Sequence, residues 1–120
     1  MIACLYVTLF FFCKATKTNL TYSLAQTFAP EKVRVNAISP GPVWSRSWET
    51  AAEMVSQNSG KDFSVVKEEI LNETAQTILL KRMGVPKDVA GLALFLASDL
   101  ANWITASNFK VDGGLLLDTI

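Results

Sequence analysis

The sequence contains no histidine, and that absence narrows the chemistry open to it. Without an imidazole there is no Ser-His-Asp or Cys-His activation of a nucleophile, and most zinc sites lose their commonest nitrogen ligand. The two thiols, Cys4 and Cys13, share one apolar stretch and show no Cys-x-x-Cys spacing, so neither a metal site nor a disulfide framework is indicated. As incidental thiols they fit a reducing, cytoplasmic compartment. What remains is a sharp turn, Ser39-Pro40-Gly41-Pro42, closing an alternating β-branched run. Proline fixes φ and glycine has no Cβ, so on residue types alone this reads as an ordinary sharp turn that ends a strand. Trp44, Trp48 and Phe63 come after it, and such aromatics either pack or line a pocket for an apolar or ring-bearing molecule.

The elements that must hold that turn can be read from periodicity. From Lys14 the pattern is helical, with Leu20, Leu24, Ala25 and Phe28 on one face until Pro30 stops the run. Residues 33–38, Val-Arg-Val-Asn-Ala-Ile, read as a strand. Two helical stretches near residues 49–57 and 63–77 flank a loop at Asn58-Ser59-Gly60. Pro86-Lys87-Asp88 opens another helix, with Val89, Leu92, Ala93 and Leu96 as its core-facing stripe and an end near Ser98-Asp99. Residues 108–111 read as a second strand, stopped by Asp112-Gly113-Gly114.

This order implies a parallel pair joined by a crossover, the unit of a doubly wound α/β sheet. Two strands make a poor sheet, and a parallel sheet needs both faces covered. The chain is therefore expected to be part of a domain. Its 120 residues include 50% apolar and 18% charged side chains, a globular composition. Eleven basic and eleven acidic side chains cancel, which leaves no field for nucleic acid or anionic lipid. Residues 1–13 are almost wholly apolar but too short to span a membrane, which takes roughly 20 residues. They lack the basic start and small-residue cleavage site of a signal peptide, and a buried strand or helix start is the plainer reading.

Three segments at mutually consistent spacing carry a family resemblance: residues 33–43 ending in Ser-Pro-Gly-Pro-Val, residues 82–90, Arg-Met-Gly-Val-Pro-Lys-Asp-Val-Ala, and Phe95-Leu96-Ala97-Ser98-Asp99 running on to Val111-Asp112-Gly113-Gly114. With Ser23-Leu24-Ala25 and Ala29-Pro30 they resemble the C-terminal half of the short-chain dehydrogenase/reductases over about residues 14–118. The resemblance implies a Rossmann-like doubly wound parallel sheet whose N-terminal nucleotide-binding half is missing here. It also implies an NAD- or NADP-dependent oxidoreductase of small-molecule alcohols or carbonyls that is a homo-oligomer in intact relatives. By the same resemblance, the loop containing Pro40, Gly41, Val43 and Ser45 lies beside the nicotinamide, where the Val43 N–H holds the carboxamide and the Ser45 hydroxyl assists. Lys14 matches the lysine of the family's Tyr-x-x-x-Lys pair, which lowers the tyrosine pKa and bonds the nicotinamide ribose. Read without the family, Lys14 is a solvated lysine at a helix start.

The sequence departs from that pattern at four points. Phe10 stands four residues before Lys14, where the family has its proton-donating tyrosine. Tyr6 and Tyr22 are each eight residues away, about 12 Å along a helix, too far to substitute. None of the six glycines forms the glycine-rich turn that cradles phosphates at a helix N-terminus. The family's catalytic serine would precede Phe10 by more residues than the chain has. The chain is thus expected to be inactive by itself, and a non-catalytic remnant that associates with a partner or full-length relative is the rival reading. Ala106, where relatives usually carry glycine, puts the local turn geometry in question.

Overall fold

A computed structural model describes the backbone of residues 13–115 and the side chains of residues 16–115. The chain runs as helix α1 (Cys13–Phe28), strand β1 (Ala37–Pro40), helices α2 (Arg46–Ser59), α3 (Phe63–Thr77) and α4 (Pro86–Ala97), and strand β2 (Asn108–Val111). Short 3-10 turns at Ala29–Glu31 and Asp99–Ala101 come after α1 and α4. The two strands pair in parallel, Ala37 with Asn108 through Pro40 with Val111. A parallel pair cannot be joined by a hairpin, and the three intervening helices form the crossover.

The first strand starts later than periodicity predicts. Residues 33–36 lie outside it: the Val33 N–H donates to Phe28 O at 3.2 Å, and Val35 and Asn36 bond the irregular stretch before β2. Val35 O accepts from the Ala106 N–H at 2.8 Å, and the Asn36 side chain donates to Ile104 O at 2.9 Å while accepting from the Ser107 N–H at 3.2 Å. A branched apolar run fixes extended backbone; which partner it bonds is a tertiary matter. Helix α2 begins at Arg46, three residues before the expected Glu49. It ends at Gly60, whose left-handed φ of 70° lets its N–H close on Ser56 O. Helix α3 has the expected bounds, and Asp62 caps it by accepting from the Ser64 N–H at 2.8 Å.

The core is thin. Among the described residues, the buried apolar side chains are Ala25, Ala52, Val66, Ile78, Met83 and Ala101, half of them alanine. Thr21 is the buried polar one, and its hydroxyl donates to Lys17 O one turn back at 2.8 Å. The expected helix faces are only partly covered. On α1, Ala25 is buried and Phe28 half-buried, but Leu20 and Leu24 are exposed. On α4, Val89, Leu92 and Leu96 are half-buried, whereas Ala93 lies in solvent. The stripe predicted from spacing is thus real at three of its four positions; among the described residues, none covers Ala93.

Candidate functional site

The three sequence motifs meet in space. The end of β1 and its exit turn (residues 40–44), the segment between α3 and α4 (residues 78–85), and the end of β2 (residues 111–114) converge at the carboxyl ends of the two strands. In open α/β sheets this is the side on which ligands bind.

Gly41 lies closest to its neighbour. Its N–H donates to Val111 O at 2.9 Å, and a Cβ built on it would stand 2.6 Å from Asp112 Cβ and 2.7 Å from Asp112 Cα. No residue but glycine fits there without parting the strands. Gly113 and Gly114 have left-handed φ values of 63° and 85° and pack against Ile78 and Leu79, while Gly113 O accepts from the Leu80 N–H at 3.1 Å.

The exit turn is pinned to the segment before α4 by a short parallel bridge between Val43 and Gly84. Gly84 donates to Pro42 O at 3.0 Å and accepts from the Trp44 N–H at 2.9 Å. Gly84 thus spends both its backbone groups on the residues flanking Val43, and in such a bridge the N–H and C=O of Val43 itself face the opposite side. No described residue accepts from the Val43 N–H. Two residues on, Ser45 stands at the N-cap of α2, with its carbonyl accepting from the N–H groups of Trp48 and Glu49 at 2.9 and 3.0 Å. Its hydroxyl makes no capping bond, and the residue is exposed. A serine in that position normally turns its hydroxyl inward onto the first helical turn. Here it remains free to serve something outside the helix.

An ion pair that the sequence motifs did not single out braces this turn. Arg82 grips Asp88 with two parallel bonds, Nη1 to Oδ2 at 2.7 Å and Nη2 to Oδ1 at 2.8 Å. Asp88 is the third residue of α4 and also accepts from the Val85 N–H at 2.8 Å. That is one arm of a capping box, whose other arm the side chain of Val85 cannot supply. The Arg82 hydrogen bonds, then the Val85 N–H, hold the Asp88 carboxyl well below the usual carboxylate range. The signal for this pair in the sequence is an Arg-x-x-x-x-x-Asp spacing around Pro86, a proline suited to the first position of a helix.

The remaining expected site residues are more scattered. Pro40 ends β1, and Lys14 is the second residue of α1, its side chain outside the described atoms. Phe10, Tyr6, Cys4 and the rest of the apolar stretch before α1 lie outside the described residues. Tyr22 is on α1 and exposed. Trp44, Trp48 and Phe63 are half-buried, with Lys67 Nζ lying 5.0 Å from the Trp44 ring centre. None of the three lines the small open cleft of about 210 Å³ between Pro42, Val43, Leu80, Arg82 and Gly113. Ligand sites usually run to about 300–1,000 Å³, so these residues form the edge of a site rather than an enclosed one. No group of metal-binding side chains occurs among the described residues, and no described helix is long and apolar enough to cross a membrane.

Comparison with known proteins agrees with this geometry. A family model described as Enoyl-(Acyl carrier protein) reductase matches residues 6–116. An uncharacterized oxidoreductase of Mycobacterium tuberculosis is 37% identical over 115 residues, covering 96% of this chain and 41% of the relative. The L-2,3-butanediol dehydrogenase of Corynebacterium glutamicum is 41% identical over 98 residues, covering 82% of this chain and 36% of the relative. The crystal structure of L-sorbose reductase from Gluconobacter frateurii, complexed with NADPH and L-sorbose, superposes with a TM-score of 0.76 at 28% identity, over 88% of this chain and 39% of that one. The chain thus spans about 40% of the length of the relatives it matches. From the convergence of its three motifs and from these matches, the chain belongs to the short-chain dehydrogenase/reductase family.

Proposed function

We propose that residues 14–120 form the C-terminal half of an NAD(P)-dependent oxidoreductase domain acting on a small-molecule alcohol or carbonyl, and that residues 42–45 are its nicotinamide-facing edge. The observation that supports this best is the pair of uncommitted polar groups on one pinned loop, the Val43 N–H and the Ser45 hydroxyl. They suit a nicotinamide carboxamide, a flat group that offers both a carbonyl to accept and an amide to donate. A bound dinucleotide would supply or take up the hydride. Val43 would orient the carboxamide and Ser45 would assist, while Pro40 and Gly41 hold the main chain at the strand end where the ring can approach. Lys14, on the helix that packs beside β1, would bond the ribose. L-2,3-butanediol dehydrogenase and L-sorbose reductase point to the substrate class by their names alone.

This polypeptide by itself lacks two parts of that machinery. Phe10 supplies no proton where the family has tyrosine, and no glycine-rich turn is present to cradle the phosphates. We therefore read residues 1–13 as an atypical apolar terminus and the isolated chain as catalytically silent, in a cytoplasmic setting that suits two cysteines without a disulfide or metal-binding spacing. Titration of the chain with NADH and NADPH, followed through its amide resonances, tests the loop. Without a phosphate cradle the expected affinity is no tighter than about 1 mM, or about −4 kcal/mol. Val43→Pro removes the donor and should abolish the shifts around Ser45, whereas Val43→Ala should preserve them. Equal effects of the two substitutions would refute the role of Val43.

A second reading, association with a partner or full-length relative, is favoured by the apolar side chains left in solvent: Leu94 at 74%, Leu100 at 83% and Trp103 at 100% exposure. Light scattering over a concentration series should show association, and a concentration-independent monomer would remove this reading.

A further inference from the structure

Val43 can present its N–H to a ring only if the height and direction of its loop are fixed, and within the described residues the bridge to Gly84 fixes them from one side. Gly84 belongs to no helix or strand. It sits between Met83 and the N-cap of α4, in a stretch whose course is set by its neighbours on either side. One residue after it the Val85 N–H is held by Asp88, and two residues before it Arg82 is held by the same carboxylate through both its oxygens. The Asp88 carboxylate therefore spans Gly84 as a staple. A forked guanidinium–carboxylate contact fixes direction as well as distance, which a single point contact does not.

The contact from Gly84 to the loop has no slack. The two backbones are joined by hydrogen bonds of 3.0 and 2.9 Å, and even a Cβ at Gly84 would lie 3.2 Å from both Pro42 O and Val43 Cγ2, tighter than ordinary contact. A displacement of residues 82–85 would pass directly to Pro42, Val43 and Trp44. Stability is a poor explanation of the ion pair. The Arg82 and Asp88 side chains are 55% and 31% exposed, and pairs so open to solvent contribute little to folding.

We infer that Arg82 and Asp88 are a positioning pair, which sets the loop carrying Val43 and Ser45 by stapling the segment around Gly84. Its purpose rests on the cofactor reading above; its geometry does not. Both side chains border the cleft at the strand ends, and their effect on the loop runs through the two bridge hydrogen bonds, Gly84 N–H to Pro42 O and Trp44 N–H to Gly84 O.

Site-resolved amide hydrogen exchange on the full 120-residue chain, without cofactor, tests this. Asp88→Ala should speed exchange at the Trp44 and Gly84 amides by about tenfold or more, while the Gly41 amide and those of α3 stay within about twofold. Asp88→Glu keeps the charge and both acceptors, and should restore most of the protection. Arg82→Lys keeps the charge but loses the fork. It should loosen the same two amides with an unchanged circular-dichroism spectrum, which serves as the readout if Asp88→Ala folds poorly. Unchanged exchange at Trp44 and Gly84 in both loss variants would overturn the inference. So would a uniform rise at every amide, because the pair would then serve general stability. Because no cofactor is present, failure here is separate from failure of the nicotinamide reading, which would appear in the Val43→Pro titration.

Discussion

Replacing Gly41 with alanine isolates the physical demand at the strand end. The new methyl would sit 2.6 Å from Asp112 Cβ and 2.7 Å from Asp112 Cα. Carbon atoms pack at about 3.5–4.0 Å, so β1 and β2 must part by about 1 Å at this point. That would stretch the Gly41 N–H to Val111 O bond from 2.9 Å to about 3.9 Å, beyond hydrogen-bonding range. The lost bond costs about 1 kcal/mol, and forcing a methyl into a filled space typically adds about 1–3 kcal/mol. The expected destabilisation is about 2–4 kcal/mol. For a urea slope of about 1–3 kcal/mol/M, this moves the unfolding midpoint down by about 1 M or more. Gly91 provides the control, since it is an exposed glycine inside α4 with nothing within 4 Å of its Cβ position. Gly91→Ala should stabilise by about 0.5–1 kcal/mol, because alanine has the higher helix propensity and the less free unfolded chain. A midpoint for Gly41→Ala that matches the wild type, or that rises as Gly91→Ala should, would refute the close-approach argument.

Ala106 should behave in the opposite sense. Its φ of 60° places an L-residue in the left-handed region, at a cost of about 1–2 kcal/mol, and Ala106→Gly should recover about 0.5–1 kcal/mol net of glycine's extra unfolded entropy in a denaturant titration. The isolated chain should show no NADH- or NADPH-dependent turnover against a panel of ketones and aldehydes. Loss of a general acid costs about 10²- to 10⁴-fold, and Phe10→Tyr should not restore activity without a phosphate cradle. Turnover by the unmodified chain in an absorbance assay would show that another group supplies the proton.

The elements are legible in the sequence where local rules are enough. Helix α3 and strand β2 have the bounds that capping, periodicity and the Asp-Gly-Gly stop imply, because Asp62 and the two left-handed glycines act on their immediate neighbours. Periodicity misplaces the start of β1 because extended backbone is a local property and pairing is not. Val35 and Asn36 lie in the same extended run as Ala37 and Ile38, yet they bond to residues 104–107, some seventy positions away. Ala93 departs from its expected burial for a related reason, since periodicity shows which residues share a face but not how wide a layer that face meets. The departure at Ala106 is legible as a change from the family's usual residue, while its consequence, a strained φ, requires coordinates.

The candidate site divides along the same line. Val43 and Ser45 are reached only through family resemblance, since neither a valine nor an N-terminal serine announces chemistry by type. The structure adds the reason they are suitable: the bridge to Gly84 commits the groups beside Val43 and leaves its own N–H outward, and Ser45 begins α2 without using its hydroxyl as the cap. Arg82 and Asp88 are visible in the sequence as members of a motif, yet a charge pair six residues apart around a proline reads equally well as a solvated helix start. Only the contact of Gly84 with Pro42 and Val43 shows that what the carboxylate staples is the segment on which the loop carrying Val43 and Ser45 rests. A motif without a catalytic side chain can thus act, on the proposed reading, through the backbone it holds in place.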